Sequence, residues 1–227
     1  MFGAGRNGEL EVRWWNPMGL KLRYQMFRDT TAEAVYDAFC SFYAARGRPL
    51  RPMGGDWERI DIHREADGWV VVNLDGGWEW KVRREAQLAV SRQLCCTGFL
   101  VFVFDGDYWG YEFFDRGEAL DQFVQESSSA AEWFPDRDCR GDAALVASRL
   151  SYLKPQEFAP YLMQMQDWVE PEGMDVPARP GDQFRRSDEC AALDFLRLLG
   201  VAVERRDGYV RLMAPVFRSA FNVKDPL

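Results

Sequence analysis

Six consecutive apolar residues, Phe99 to Phe104 (FLVFVF), stand between Gly98 and an Asp105-Gly106-Asp107 turn signal. A continuously apolar run of this kind predicts a central strand covered on both faces. A chain that contains it needs material to place on each side of a sheet. The run opens a meander: Tyr108 to Phe114 (YWGYEFF) returns after the turn, Asp115-Arg116-Gly117 turns again, and Glu118 to Val124 forms a further strand. Upstream, Leu20, Leu22, Tyr24 and Met26 alternate with Lys21, Arg23 and Gln25, so Leu20 to Phe27 reads as a strand. The helix after it has Thr30 and Glu33 at capping-box spacing, Val35, Ala38, Phe39 and Phe42 at helical spacing, and Gly47 and Pro49 as its stop. Ile60 and Ile62 belong to a strand that pairs with Trp69 to Leu74 across Asp67-Gly68. A second helix runs from about Trp80 to Leu94.

The order βαββαβββ over residues 1–126 predicts an α+β fold, with helices packed on an antiparallel or mixed sheet of about six strands. Residues 125–141 (QESSSAAEWFPDRDCRG) are polar and turn-rich and mark a boundary. Residues 127–227 then form a smaller, mostly helical region, either separate or packed on the first as one unit. Its helices are expected at Asp142 to Leu150, Pro155 to Met165 and Ser187 to Leu199, with an exposed loop or linker over 170–182. A hairpin around Asp207-Gly208 ends the region, and the tail from Phe217 is expected to be loosely ordered.

Aromatic residues make up 15% of the chain, with 9 Trp and 16 Phe, and the net charge is −8. Nucleic-acid binders need a basic face to neutralise phosphates, so nucleic acid is not an expected partner. The acidic balance suits a basic protein partner instead. The five cysteines (Cys40, Cys95, Cys96, Cys139, Cys190) are odd in number and irregular in spacing, which predicts reduced thiols and a cytoplasmic setting. No stretch reaches membrane-spanning length, and MFGAGRNGELEVRWW lacks the apolar core of an export signal. The ratio of 24 Arg to 4 Lys suits a GC-rich bacterial genome.

Catalytic chemistry is not legible. His63 is the single histidine, with Asp61 on the same strand face, and one histidine without a motif reads as a packed side chain. Asp105 and Asp107 flank Gly106, but no EF-hand continuation follows, so the turn reading is preferred to a metal site. GAGRNG at 3–8 and MGG at 53–55 lack the strand-to-helix context of a phosphate loop. No cofactor is expected. A helix followed by a hairpin in 183–215 has winged-helix order, but offers only Arg185, Arg186 and Arg197 as basic residues.

The stretch from Gly98 to Phe123 (GFLVFVFDGDYWGYEFFDRGEALDQF) resembles segments of small bacterial cytosolic proteins of the polymorphic-toxin immunity type, including the SMI1/KNR4-like group. The resemblance implies a protein-binding role and no catalytic residues. The first expectation is therefore a non-enzymatic binding protein, of immunity or adaptor kind. Its contact patch is placed at Asp105, Asp107, Tyr108 and Trp109, with Trp14-Trp15 and Trp78-Trp80 next. The alternative is a small-molecule enzyme that uses carboxylates and arginines in a cleft between the two regions.

Overall fold

The computed structural model describes residues 22–51, 58–63, 67–76, 80–135, 137–168, 176–206 and 209–221. Trp14, Trp15, Trp78, the glycines of 3–8 and 53–55, the Asp207-Gly208 turn and residues 170–175 of the loop expected over 170–182 lie outside them.

The expected order is present. Strand β1 (Leu22–Arg28) leads into helix α1 (Ala32–Ala44), the hairpin β2 (Glu58–His63) and β3 (Trp69–Gly76), helix α2 (Trp80–Leu94), and the meander β4 (Thr97–Phe104), β5 (Tyr108–Asp115) and β6 (Glu118–Val124). Helix α1 is capped one residue later than the capping-box spacing predicts, because the Thr31 hydroxyl accepts from the Ala34 amide. Shorter helices follow: α3 (Ala130–Trp133), α4 (Ala143–Arg149), α5 (Pro155–Phe158) and α6 (Ala191–Leu198). The hairpin β7 (Val203–Arg206) and β8 (Tyr209–Leu212) then precedes β9 (Val216–Phe221).

Seven strands form one antiparallel sheet in the order β6-β5-β4-β1-β3-β2-β9, and β7-β8 stands as a separate pair. The tail expected to be loose is a correction: β9 pairs with β2 along Arg59–Phe221 to His63–Val216, and the Ser219 hydroxyl donates to Asp61 at 2.6 Å. The helix expected from Pro155 to Met165 breaks into α5 and two single 3-10 turns. The last helix starts at Ala191 rather than Ser187, since Asp188 bonds the Cys190 amide and holds a turn there.

Period-two alternation sorts the strands onto two covered faces. On one, Phe27, Val70, Val72, Ile60, Ile62 and Phe114 pack against α1 and α2. On the other, Tyr24, Met26, Val71, Phe99, Val101, Trp109, Tyr111 and Phe113 meet Val146, Leu150, Phe158 and the apolar side of α6. The sheet is thus the middle of three layers, as the apolar run of β4 requires. Val101 and Phe102 are fully buried. Gly98 admits no side chain: a Cβ there would lie 2.1 Å from the Met26 carbonyl oxygen and 2.5 Å from the Phe114 ring.

Hydrogen bonds tie the segment 125–141 to β6. The Val124 amide donates to the Cys139 carbonyl, and Phe123 bridges Arg140, so the chain closes over the outer edge of β6. Gln164 donates to the carbonyls of both Val124 and Cys139 and clamps that closure. Among the described residues no helix is long and apolar enough to cross a membrane.

Candidate functional site

The expected contact patch divides on inspection. Asp107 is exposed at the tip of the β4–β5 hairpin, and Asp105 is part-buried there. Trp109 is only 1% exposed, with its ring 5.0 Å from Phe195 and 5.2 Å from Phe123. Tyr108 is 4% exposed and accepts the Trp133 indole N–H on its hydroxyl. The two aromatic anchors are therefore core side chains. Alternation sent Trp109 to one covered face of β5 and Tyr108 to the other, and both faces are occupied. The aromatic excess is largely spent inside: among the described residues the exposed large apolar side chains are Tyr152, Val176 and Met213.

His63 and Asp61 do share a strand face, but they do not act on one another as an acid–base pair. His63 Nδ1 bonds the Ala214 carbonyl, while Asp61 is held by the Arg59 guanidinium and the Ser219 hydroxyl. Burial lowers the pKa of His63, because it disfavours the charged imidazolium. In the segment with winged-helix order, Ala191 to Leu196 of helix α6 are buried.

A different site forms where the two regions meet. A cleft of about 660 Å³ is lined by Asp121 of β6, by Asp138, Arg140, Gly141, Asp142, Ala143 and Ala144 at the entry to α4, and by Pro155, Ala159 and Leu162. Its volume lies within the range of small-ligand pockets. Asp121 forms the floor. It is 8% exposed, and its Oδ2 accepts the Tyr111 hydroxyl at 2.6 Å and the Asp142 amide at 3.0 Å. Burial raises the pKa of Asp121, opposed by those two hydrogen bonds. Burial, together with the adjacent Asp121, pushes the Tyr111 phenol well above its ordinary value, so it stays a donor.

The loop that forms the wall is placed by backbone chemistry. Gly141 has φ +75°, and a Cβ there would approach the Tyr111 hydroxyl to 2.9 Å and Leu162 to 3.0 Å. That close approach carries the Asp142 amide onto Asp121. Asp142 caps α4, its Oδ1 accepting from the amides of Ala144 and Leu145 at 2.9 Å. Asp138 Oδ1 accepts the Arg140 amide. The Arg140 side chain is drawn outward to Asp167 at 3.1 Å. Among the described residues no Lys or Arg nitrogen lies within 4.0 Å of Asp121, Asp138 or Asp142.

No residue of this cleft stood out in the sequence. Asp121 is one acid in an expected strand, Asp138 lies in the stretch that reads as a boundary, and Asp142 opens the helix expected after it. The only available signal was Asp142 as the cap of an expected helix. Comparison of the chain with protein-family models, with curated proteins and with solved structures gives no match.

Proposed function

We propose that this chain is a non-enzymatic protein-binding protein of the cytoplasm, of immunity or adaptor kind, whose acidic cleft receives a basic partner. The observation that carries the reading is the set of three carboxylates around one cleft, none of them in an ion pair among the described residues, with the lining Arg140 turned to Asp167 instead. Asp121 supports it most, because a nine-tenths-buried carboxylate is costly to ionise without a counter-charge, and a partner's cation supplies one. The net charge of −8 adds long-range attraction for a basic protein. The absence of disulfides among the five cysteines, three of them buried, fits a reducing compartment.

The test is capture of a partner by the immobilised full chain, followed by the double variant Asp121→Asn/Asp138→Asn. Asn keeps the volume of each side chain and the acceptor that Tyr111 and the Asp142 amide require. The expected result is affinity lower by about tenfold or more, steeper loss with salt in the parent than in the variant, and a melting temperature nearly unchanged. Unchanged affinity in the variant would remove the cleft from the interface.

A second reading is favoured by one observation. Asp121 has a raised pKa in a cleft beside Tyr111, which is the environment of a general acid. An enzyme of this kind would turn over a small substrate, with the rate abolished by Asp121→Asn alone and Asp138→Asn nearly silent.

A further inference from the structure

Strand β9 ends the strand order of the sheet and, among the described residues, pairs with β2 alone. Its ladder is interrupted as well. Ile62 pairs with Arg218 and His63 with Val216, so Phe217 is passed over in a bulge beside His63. Side chains hold β9 on both of its faces. On the α1 side, Phe217 packs against the core and the Arg218 guanidinium lies 4.7 Å from the Tyr36 ring. On the other side there are two ties to β2. The Ser219 hydroxyl donates to Asp61 at 2.6 Å, and His63 Nδ1 bonds the Ala214 carbonyl at 2.9 Å, within the connection that leads from β8 into β9.

The second tie depends on the charge of a ring that is 8% exposed. A carbonyl oxygen only accepts, so Nδ1 carries the hydrogen and a further proton enters at Nε2. Burial resists that proton and lowers the pKa of His63. The charged groups that act on the ring stand on its own strand: Asp61 favours the imidazolium and Arg59 opposes it. Asp61 is itself engaged by the Arg59 guanidinium and the Ser219 hydroxyl. The neighbouring elements bring no further charge to this side among the described residues. Across the ladder β3 offers Asn73 and Val71, and β9 offers Ser219 while its Arg218 lies on the α1 side. The connection offers Ala214 and Pro215. An imidazolium formed here therefore lacks a counter-charge of its own, and opening the edge strand is the least disruptive way to hydrate it.

We infer that His63 is an acid-sensitive latch on the edge of the sheet: a proton on its ring releases β9 and its lead-in from β2. The hinge falls at Ala214-Pro215, because the Met213 amide just before it is tied to the Ala202 carbonyl at 3.0 Å. The sign follows from proton linkage. The closed state binds the proton less readily than the open one, whose ring has the ordinary pKa of about 6.5. Closure is fully favoured above that pH and weakens as the pH falls through it. The latch lies at the opposite edge of the sheet from the cleft beside β6, so neither reading depends on the other.

The experiment follows hydrogen exchange of the full chain by mass spectrometry from pH 7.5 to 5.5, with each rate corrected for its intrinsic pH dependence. Protection over 216–221 is expected to fall by about tenfold across that range, as the uptake of one proton by a group of ordinary pKa about 6.5 allows, while protection over 99–104 stays constant. The chain has one histidine, so its ring signals are followed in the NMR spectrum without ambiguity and should titrate below the ordinary value. The fall in protection should begin near pH 6.5 and level off where the ring titrates. His63→Asn keeps an amide nitrogen at the position of Nδ1 without a titrating ring, and should make protection over 216–221 independent of pH in this window. A fall that persists undiminished in His63→Asn overturns the latch. So does a ring that titrates at or above its ordinary value while 216–221 stays protected. Should His63→Asn lie open at every pH, the unsubstituted chain decides: a fall bounded by the ring titration supports the latch, and a change of less than about twofold overturns it.

Discussion

Phe195→Ala is expected to lower the free energy of unfolding by about 3–5 kcal/mol, the range for deleting a fully buried aromatic ring. Phe195 is fully buried on α6, and its ring meets Phe99, Trp109 and Tyr111 of the sheet on one side and Phe158 and Tyr161 on the other. The Tyr111 ring is stacked on it, 5.5 Å away at an interplanar angle of 5°. No neighbour can collapse into such a space without moving another ring, so most of the cavity should persist. The same contacts make a second claim. Residues 127–227 and the sheet should unfold in one transition, in the parent and in the variant alike. Urea unfolding followed by near-UV and far-UV circular dichroism checks both points. Two separated transitions, with only the later-sequence helices lost early, would show that the regions are independent domains.

Glu112→Ala should be nearly as costly, about 3–5 kcal/mol, for a different reason. Glu112 lies on the α2 side of β5 with no exposure, where its carboxylate takes the Arg84 guanidinium at 2.7 and 2.8 Å and the Gln87 amide at 2.6 Å. Gln122 adds a longer bond at 3.3 Å. Behind this group, Gln25 donates to the Arg83 carbonyl and Arg83 to that of Leu74. Removing the carboxylate strands the buried amides of Gln87 and Gln122, which have no water to turn to, and leaves the partly exposed Arg84 without its partner. Glu112→Gln keeps the shape and one acceptor, so its cost should be clearly smaller than that of Ala. Chemical denaturation of the two variants side by side decides the matter. Equal stability of Glu112→Ala and the parent would mean that the network contributes nothing net.

Those two positions show how unevenly the molecule is written in its sequence. The hairpins were legible because their turns have a local cause. Asp67-Gly68, Asp105-Gly106 and Arg116-Gly117 each place two consecutive residues at positive φ, which matches the twist of an antiparallel pair. Helix α1 was legible because its apolar residues recur on one face. Glu112 was not: in YWGYEFF it has the position of a solvent-facing acid, and only α2 with Arg84 and Gln87 makes it a buried one. Tyr108 and Trp109 failed in the opposite direction, since a turn-adjacent aromatic pair reads as an anchor until both faces of β5 are seen to be covered.

The sequence by itself determined the strand and helix order, the three hairpin turns and the need for cover on both sides of β4. These follow from period, composition and turn residues within a few positions of each other. Tertiary structure alone decided that β9 returns to the edge of the sheet beside β2, 158 positions from Asp61 to Ser219. It alone brought Asp121 under a loop twenty-one residues later and left three carboxylates around one cleft. The physical reason is that local preferences act through the backbone of near neighbours, while the burial and charge state of a side chain depend on whatever the whole fold places against it.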